Sequence, residues 1–122
     1  MEGTLPSILA SMSRLVELDV EDNYLSGDLW AIPEMNSIEH VLAYDNILGG
    51  EMTKDPYDSS VNRTRAYGDL DSSPILRATS LKTLDLSTNY YYGTIPRAMR
   101  RMTRMEELYL EDMELEGQIV PE

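Results

Sequence analysis

The stretch that decides the fold is Leu81-Lys82-Thr83-Leu84-Asp85-Leu86-Ser87-Thr88-Asn89-Tyr90-Tyr91-Tyr92-Gly93-Thr94-Ile95-Pro96. Within it, apolar residues at positions 84 and 86 alternate with polar ones, which is the pattern of a strand with one buried face. Asn89 follows where the chain must leave that strand, and Gly93 follows four residues later. Because a single short strand cannot bury its face alone, we looked for further copies of this pattern.

Three more copies keep the same spacing. They read Leu15, Leu18, Val20, Asn23, Leu25, Gly27, Leu29; Ile38, Val41, Ala43, Asn46, Leu48, Gly50, Met52; and Met105, Leu108, Leu110, Met113, Leu115, Gly117, Ile119. The last copy has Met113 where the others have asparagine. Repeats of this kind bury their apolar faces by stacking on one another, so the sequence predicts a solenoid with parallel strands.

The pattern resembles the leucine-rich-repeat family, in the class of about 24 residues per repeat that is typical of plant receptors. Gly-Thr-Leu-Pro at 3–6 and Gly-Thr-Ile-Pro at 93–96 are its most class-specific stretches. The resemblance implies an α/β-type repeat solenoid: a right-handed coil with a short parallel β-sheet on the concave face and irregular, 3-10 or short helical segments on the convex face. It also implies that Asn23, Asn46 and Asn89 form a ladder whose amides satisfy backbone groups.

We expect one solenoid over 1–122 with four to five repeats. Its divisions are a partial copy at 1–14, copies at 15–37, 38–52 and 81–104, and a partial copy at 105–122. The segment 53–80 is either a loop that rejoins the solenoid near Gly68, which we favour, or a degenerate repeat. The chain begins and ends within a repeat and shows no polar cap. We therefore expect a piece of a longer receptor-like or extracellular protein, with weak thermal stability in isolation.

Composition narrows the possible partners. The net charge of −12 argues against nucleic acid, whose phosphates would be repelled, and favours basic partners. The absence of cysteine removes disulfides, thiolate metal sites and cysteine nucleophiles. No apolar run is long enough to cross a membrane, so contact with one would need parts that lie outside this sequence. The resemblance implies an extracellular or membrane-associated setting, and an intracellular one stays open.

The residues between the strand leucines are expected to line the concave face. In chain order they are Glu17, Asp19, Glu21 and Asp22; His40, Leu42, Tyr44 and Asp45; Thr83, Asp85, Ser87 and Thr88; and Glu107, Tyr109, Glu111 and Asp112. All but Thr83, Ser87, Thr88 and Asp112 are candidate ligand-binding residues. Tyrosine gives large contact area at low entropic cost, so this acidic face could recognise a basic protein or peptide, or a glycan. The alternatives are a merely solvated surface, or a structural or scaffolding repeat without a discrete ligand.

Catalysis, cofactors and metals are not expected. The chain has one histidine and neither a phosphate-binding loop nor a nucleophile motif, and an open sheet face does not separate carboxyl pKa values as glycoside hydrolysis requires. Asp22 beside Asp45 could attract a cation, but no loop gathers the roughly six oxygens that calcium needs. Asn62 begins the glycosylation sequon Asn62-Arg63-Thr64 and is a candidate modification site.

Several other residues have two interpretations each. Arg97, Arg100, Arg101 and Arg104, on the convex side, are either a docking patch for an acidic partner or a solvated face paired with nearby carboxylates. Tyr91 takes a core position, whereas Tyr90 and Tyr92 should point outward, and Trp30 is either an exposed contact residue or packing between coils. On the return segments, Ile8, Leu9, Met12, Met99 and Met102 are expected to point inward.

Overall fold

The computed structural model describes residues 2–49 and 69–116, and the elements below are those of this part of the chain. The strands are β1 (Glu2–Gly3), β2 (Glu17–Asp19), β3 (Tyr24–Gly27), β4 (His40–Leu42), β5 (Ile47–Leu48), β6 (Thr83–Asp85), β7 (Tyr92–Thr94), β8 (Glu107–Tyr109) and β9 (Glu114–Glu116). The 3-10 helices are η1 (Ser7–Ser11), η2 (Ile32–Glu34), η3 (Leu70–Ser72), η4 (Pro74–Arg77) and η5 (Arg97–Arg101).

The main sheet contains the four strands that the repeat predicts. Its order is β2-β4-β6-β8, and every neighbouring pair is parallel. The central leucine positions are in register, since Leu18 pairs with Val41, Val41 with Leu84, and Leu84 with Leu108. This arrangement confirms the predicted repeat solenoid, because each coil contributes one short strand that pairs only with its neighbours.

A second set of parallel strands was not predicted. The segments after the asparagines pair as β1-β3-β5 and as β7-β9. In this set the glycine of one coil lies opposite the leucine of the next, as in the pairs Gly27 with Leu48 and Gly93 with Leu115. These segments carry no strand signal in the sequence, because they lack a sustained alternation of apolar and polar residues. Their pairing follows from stacking, which brings the backbones of successive coils within hydrogen-bonding distance.

Two asparagines of the predicted ladder, Asn46 and Asn89, join their coils to the ones before them, whereas Asn23 donates to the Val20 carbonyl of its own coil. Asn46 donates from Nδ2 to the Val20 carbonyl at 2.9 Å and accepts from the Leu25 amide at 2.9 Å. Asn89 repeats both bonds one coil further on, to the Ala43 carbonyl at 2.8 Å and from the Leu48 amide at 2.9 Å. The amide side chain suits this position because it donates and accepts at once, so buried backbone groups keep their partners.

The 3-10 helices return the chain to the next strand and close the core from behind. Pro6 and Pro96 immediately precede η1 and η5, and Ser73 Oγ accepts from the Ile75 amide at the start of η4. The predicted inward orientation of the return segments is only partly correct. Met102 is buried and Leu9 and Met99 are half-buried, but Ile8 and Met12 are exposed. The reason is that η1 contacts η2 on one side and has no second described coil on the other.

The long gap in the repeat lies between two adjacent strands of the main sheet. His40 of β4 pairs directly with Thr83 of β6, so no strand of the intervening segment enters the main sheet between them. The two interpretations of 53–80, a loop or a degenerate repeat, and the division of the chain into repeats stay predictions. After the gap, Asp69 forms a parallel bridge with Tyr92. Its carboxylate leaves no room for a side chain at position 93, because a Cβ on Gly93 would lie 2.9 Å from Asp69 Oδ1.

The repeat glycine of the second copy, Gly50, is preceded in the sequence by another glycine, Gly49. Gly50, Met52 and most of the candidate loop, including Gly68, lie outside the described residues. The neighbouring Gly49 has φ +81°, and a Cβ there would lie 2.9 Å from the Tyr91 backbone nitrogen. Only glycine combines that backbone angle with so close an approach.

Candidate functional site

The register of the main sheet sorts the candidate ligand-binding residues into rows. One row is Glu17, His40, Thr83 and Glu107, and the next is Asp19, Leu42, Asp85 and Tyr109. The parallel pattern of backbone hydrogen bonds continues beyond the strands. The Asp22 amide donates to the Tyr44 carbonyl, and the Thr88 amide donates to the Glu111 carbonyl. A third row of Glu21, Tyr44, Ser87 and Glu111 therefore follows the same face. We call these three rows the main-sheet face.

The composition of the main-sheet face changes from strand to strand. The coil of β2 presents only carboxylates, namely Glu17, Asp19 and Glu21. The coil of β4 presents imidazole, leucine and phenol groups instead, and the coil of β6 presents short polar side chains around Asp85. Tyr44 and Tyr109 are 38% and 39% exposed. The face therefore offers carboxylates for charge and two accessible aromatic rings for contact area.

Leu42 differs from its prediction. The sequence interpretation treated it as an exposed apolar contact, but it is half-buried. The reason is that Asp19 and Asp85 flank it in register, one strand away on each side. Strands in a sheet lie about 4.8 Å apart, so side chains of this size cover one another's flanks.

One ion pair lies at the beginning of the strands. Lys82 Nζ is 3.0 Å from Glu39 Oε2, and the hydrogen bond from Lys82 lowers the pKa of the Glu39 carboxyl below its usual value. The positive charge of Arg104 contributes to the same lowering. Glu39 Oε2 is also 4.0 Å from His40 Nε2, whereas His40 Nδ1 is 3.0 Å from Thr83 Oγ1. His40 is thus held by neighbours on both sides.

Negative charges interact with one another across the main-sheet face. Asp19 is the largest cause of a raised pKa at Glu21, and the charges of Asp22 and Asp85 act in the same direction. Tyr109 donates its hydroxyl to Glu107 Oε2 at 3.1 Å, and that carboxylate raises the pKa of the Tyr109 phenol. An electrostatic field of this sign attracts cations and repels anions.

A fourth row follows the main-sheet face at the start of the turn. Asp22, Asp45, Thr88 and Asp112 all have left-handed backbone angles, with φ of 53°, 53°, 53° and 51°. The predicted juxtaposition of Asp22 and Asp45 agrees with the backbone pairing, in which the amide after Asp22 donates to the Asp45 carbonyl. Among residues 2–49 and 69–116, no group of three or more His, Cys, Asp or Glu side chains could hold a metal ion.

Thus the structure brings the twelve candidate residues together along one side of the coil, and a role in ligand binding stays a prediction for each of them. Asn62, the candidate glycosylation site, lies outside the described residues. Away from the main-sheet face, Trp30 is 45% exposed and follows the buried Leu29. None of the 3-10 helices in the described ranges has the length and apolar character that a bilayer crossing requires.

Sequence reasoning missed Asp28, which organises a polar contact inside the solenoid. Its Oδ1 accepts from the Tyr91 hydroxyl at 2.8 Å, from Ser73 Oγ at 2.7 Å and from the Leu29 amide at 2.8 Å. Tyr91 occupies a core position, as predicted, and is fully buried. Burial and the negative charge of Asp28 raise the pKa of its phenol well above the usual value. No sequence signal could find this contact, because its partners are 45 and 63 residues from Asp28.

The chain is similar in sequence to a plant receptor-like protein. No protein-family model matches the chain. Receptor-like protein 39 of Arabidopsis thaliana is 30% identical over 113 residues, which are 90% of this chain and 11% of that protein. The chain therefore spans about a ninth of the length of the curated relative it matches.

Two solved structures share the fold. The plant peptide hormone receptor RGFR1 in complex with RGF2 superposes with a TM-score of 0.71 at 18% identity, over 98% of this chain and 16% of that chain. The structure of PEPR1 with AtPEP1 superposes with a TM-score of 0.68 at 23% identity, over 93% of this chain and 14% of that chain. Both superpositions cover almost all of this chain and support the coil-by-coil architecture described above.

Proposed function

This chain belongs to the plant-type leucine-rich-repeat proteins, and from that premise we propose that it is a non-catalytic binding module whose main-sheet face recognises a basic segment of a protein or peptide. The observation that carries the proposal is the row Asp19, Leu42, Asp85 and Tyr109, in which carboxylates alternate with apolar or aromatic side chains across four strands. A cationic side chain with an aliphatic stem suits such a row, since its head can meet a carboxylate while its stem packs on leucine or tyrosine.

The complexes formed by the structural relatives support a peptide as the ligand. RGFR1 is a peptide hormone receptor in complex with RGF2, and PEPR1 is in complex with AtPEP1. The charges of this chain add the basic character. The three rows of the main-sheet face contain six carboxylates and no lysine or arginine, so a basic peptide would relieve their mutual repulsion on binding.

Fluorescence anisotropy with a labelled nine-residue peptide rich in lysine and arginine tests this proposal. We expect binding that weakens as salt rises, and no binding of a glutamate-rich peptide of the same length. Tyr44→Ala and Tyr109→Ala should each weaken binding about fivefold or more, in line with the loss of an exposed aromatic contact. Tyr24→Ala is the matched control, because Tyr24 lies on β3 outside the main-sheet face and is 68% exposed.

The outcomes separate the proposed function from its alternatives. Equal binding of the basic and acidic peptides, or equal loss in all three tyrosine variants, would overturn the assignment to the main-sheet face. Binding of a neutral oligosaccharide in place of the basic peptide would identify a glycan ligand. A chain that binds none of these probes would support the structural or scaffolding role.

A further inference from the structure

Positive charge is concentrated on the back of the solenoid, opposite in sign to the main-sheet face. Residues 2–49 and 69–116 contain seven lysines and arginines, of which four lie between 97 and 104. These four, Arg97, Arg100, Arg101 and Arg104, are all exposed, and we call them the arginine patch. No carboxylate occurs between 97 and 104, so η5 has no acidic residue of its own to neutralise the patch.

Arg100 interacts with a neighbouring group, but pairing with nearby carboxylates does not account for the whole arginine patch in the described part of the chain. The ion pairs there join Glu39 to Lys82 and to His40. Arg97 and Arg101 form no ion pair or hydrogen bond with any described residue. The positive charge of Arg104 lowers the pKa of Glu39 without an ion pair between the two side chains. Arg104 therefore lies at the edge of the arginine patch that is nearer to the main sheet.

We propose that the arginine patch of one copy docks on the acidic main-sheet face of a second copy of this chain. The chain carries both halves of this complementary pair, four arginines on the back and six carboxylates on the main-sheet face. Guanidinium groups present a fork of donors that matches carboxylate oxygens in pairs, so arginine suits such a contact better than lysine. This inference goes beyond the proposed function, since it concerns the chain without any ligand.

The dimensions of the two surfaces match. A 3-10 helix rises about 2 Å per residue, so the five residues of η5 extend about 10 Å. Four strands about 4.8 Å apart extend about 14 Å across the main sheet. The three arginines of η5 therefore fit within the width of the main-sheet face. Because the two surfaces differ, the contact is heterologous, and repeated addition of copies gives open chains and not a closed dimer.

Salt controls the balance between this contact and the overall repulsion. Two molecules with a net charge of −12 repel one another, but at about 0.1 M salt charges more than about 10 Å apart are largely screened. Contacts between exposed charges are individually weak, so the association is expected near millimolar protein and at moderate salt. A basic peptide on the main-sheet face would compete with it.

Sedimentation velocity of the whole chain, from about 10 μM to 1 mM, tests the inference. At about 0.1 M salt we expect the mean sedimentation coefficient to rise with concentration, and at 0.5 M salt to stay at the monomer value at every concentration. Arg101→Glu should weaken the association about tenfold. Arg14→Glu is the matched control, because it makes the same change of charge at an exposed arginine outside the patch.

Mixing two variants adds a test that does not depend on loss alone. Glu17→Arg places a positive charge on the main-sheet face, and this variant should associate with Arg101→Glu more strongly than either variant associates with itself. Circular dichroism checks that each variant is folded. A wild-type chain that stays monomeric at all concentrations and salts would overturn the inference and leave peptide binding untouched. Equal weakening by Arg14→Glu and Arg101→Glu would also overturn it, since net charge alone would then explain the effect.

Discussion

Thr88 has a backbone angle that its side chain disfavours. Its φ of 53° lies in the left-handed region, where the equivalent residues of the other coils are Asp22, Asp45 and Asp112. Aspartate and asparagine adopt this region several times more often than other non-glycine residues, whereas a β-branched residue there is an outlier. The backbone of Thr88 is fixed by the coil, since its amide donates to the Glu111 carbonyl. Thr88 therefore keeps this strained backbone conformation in the folded protein.

We predict that Thr88→Asn stabilises the protein. Left-handed backbone costs an ordinary residue about 1–2 kcal/mol, and asparagine avoids part of that cost, so the free energy of unfolding should rise by about 1 kcal/mol. Urea denaturation followed by circular dichroism measures the change. Asp45→Asn, at the equivalent position one coil earlier, is the control and should change stability by less than about 0.5 kcal/mol. A Thr88→Asn midpoint at or below that of the wild type would contradict this account of strain.

Met113 interrupts the asparagine ladder. By analogy with Asn46 and Asn89, an asparagine at this position would donate to the Leu86 carbonyl and accept from the Tyr91 amide. We predict that the new hydrogen bonds of Met113→Asn raise the free energy of unfolding by about 1 kcal/mol. The loss of the apolar contact between Met113 and the core offsets part of this gain. Met113→Leu separates the two effects, because it keeps an apolar side chain and adds no hydrogen bond. If both variants have the same thermal midpoint, the ladder does not extend to this coil.

At the scale of elements, the contact between Asp28 and Tyr91 joins segments that the main sheet does not connect. Asp28 follows β3, Ser73 precedes η4 and Tyr91 precedes β7. The three segments belong to different coils and meet on one carboxylate oxygen. They lie beside Gly49 and Asp69, the described residues nearest to the two ends of the long gap in the repeat. The hydrogen bonds therefore hold the solenoid together where its regular stacking is interrupted.

Removal of the Tyr91 hydroxyl should weaken this junction. We predict that Tyr91→Phe lowers the free energy of unfolding by about 1–2 kcal/mol, because Asp28 loses a buried donor and the ring keeps its packing. Tyr24→Phe is the control, since Tyr24 is largely exposed. Chemical denaturation of both variants at neutral pH makes the comparison. Equal stability of Tyr91→Phe and the wild type would show that Ser73 and Leu29 suffice to satisfy Asp28.

The raised pKa of Tyr91 also predicts loss of stability in alkali. A group whose pKa is higher in the folded state stabilises the protein fully below its unfolded pKa, and that contribution is lost as pH rises further. For a tyrosine the unfolded value is about 10. The free energy of unfolding should therefore fall as pH rises above about 10 in the wild type, and fall less steeply in Tyr91→Phe. Parallel pH profiles for the two proteins would contradict this assignment.

At the scale of the whole molecule, stability should differ between inner and outer coils. Val41 and Leu84 of the inner strands are fully buried, whereas Leu108 of β8 is 39% exposed. In a solenoid, stability is close to a sum over neighbouring coils, and β2 and β8 each have one strand partner in the described sheet. The outer coils should open first.

Hydrogen exchange of three equivalent amides measures this difference. Val20, Ala43 and Leu86 each donate to the next strand of the main sheet. We predict that the Ala43 amide, between the two inner coils, exchanges at least about tenfold more slowly than the other two. Equal protection at all three positions would mean that the coils open as one cooperative unit. A sharp, high melting transition would likewise contradict the weak thermal stability expected from the sequence.

The sequence by itself determined the features that the repeat carries in every copy. The coil-on-coil fold and the main sheet follow from residues at fixed spacing, and the resemblance of that spacing to leucine-rich repeats implied the asparagine ladder and the residues of the main-sheet face. This is possible because each coil contacts mainly its neighbours, so the same local pattern meets the same surroundings again and again.

Only the tertiary structure decided what the repeat does not encode. The second set of strands, the pairing of β4 with β6 across the long gap, the Lys82–Glu39 ion pair and the position of Asp28 depend on which coils meet in space. Exposure belongs to the same group, since Leu42 is covered by its neighbours and Ile8 is not. The spacing of residues along the chain specifies the direction of a side chain. Its contacts and its exposure depend on which other coils lie beside it.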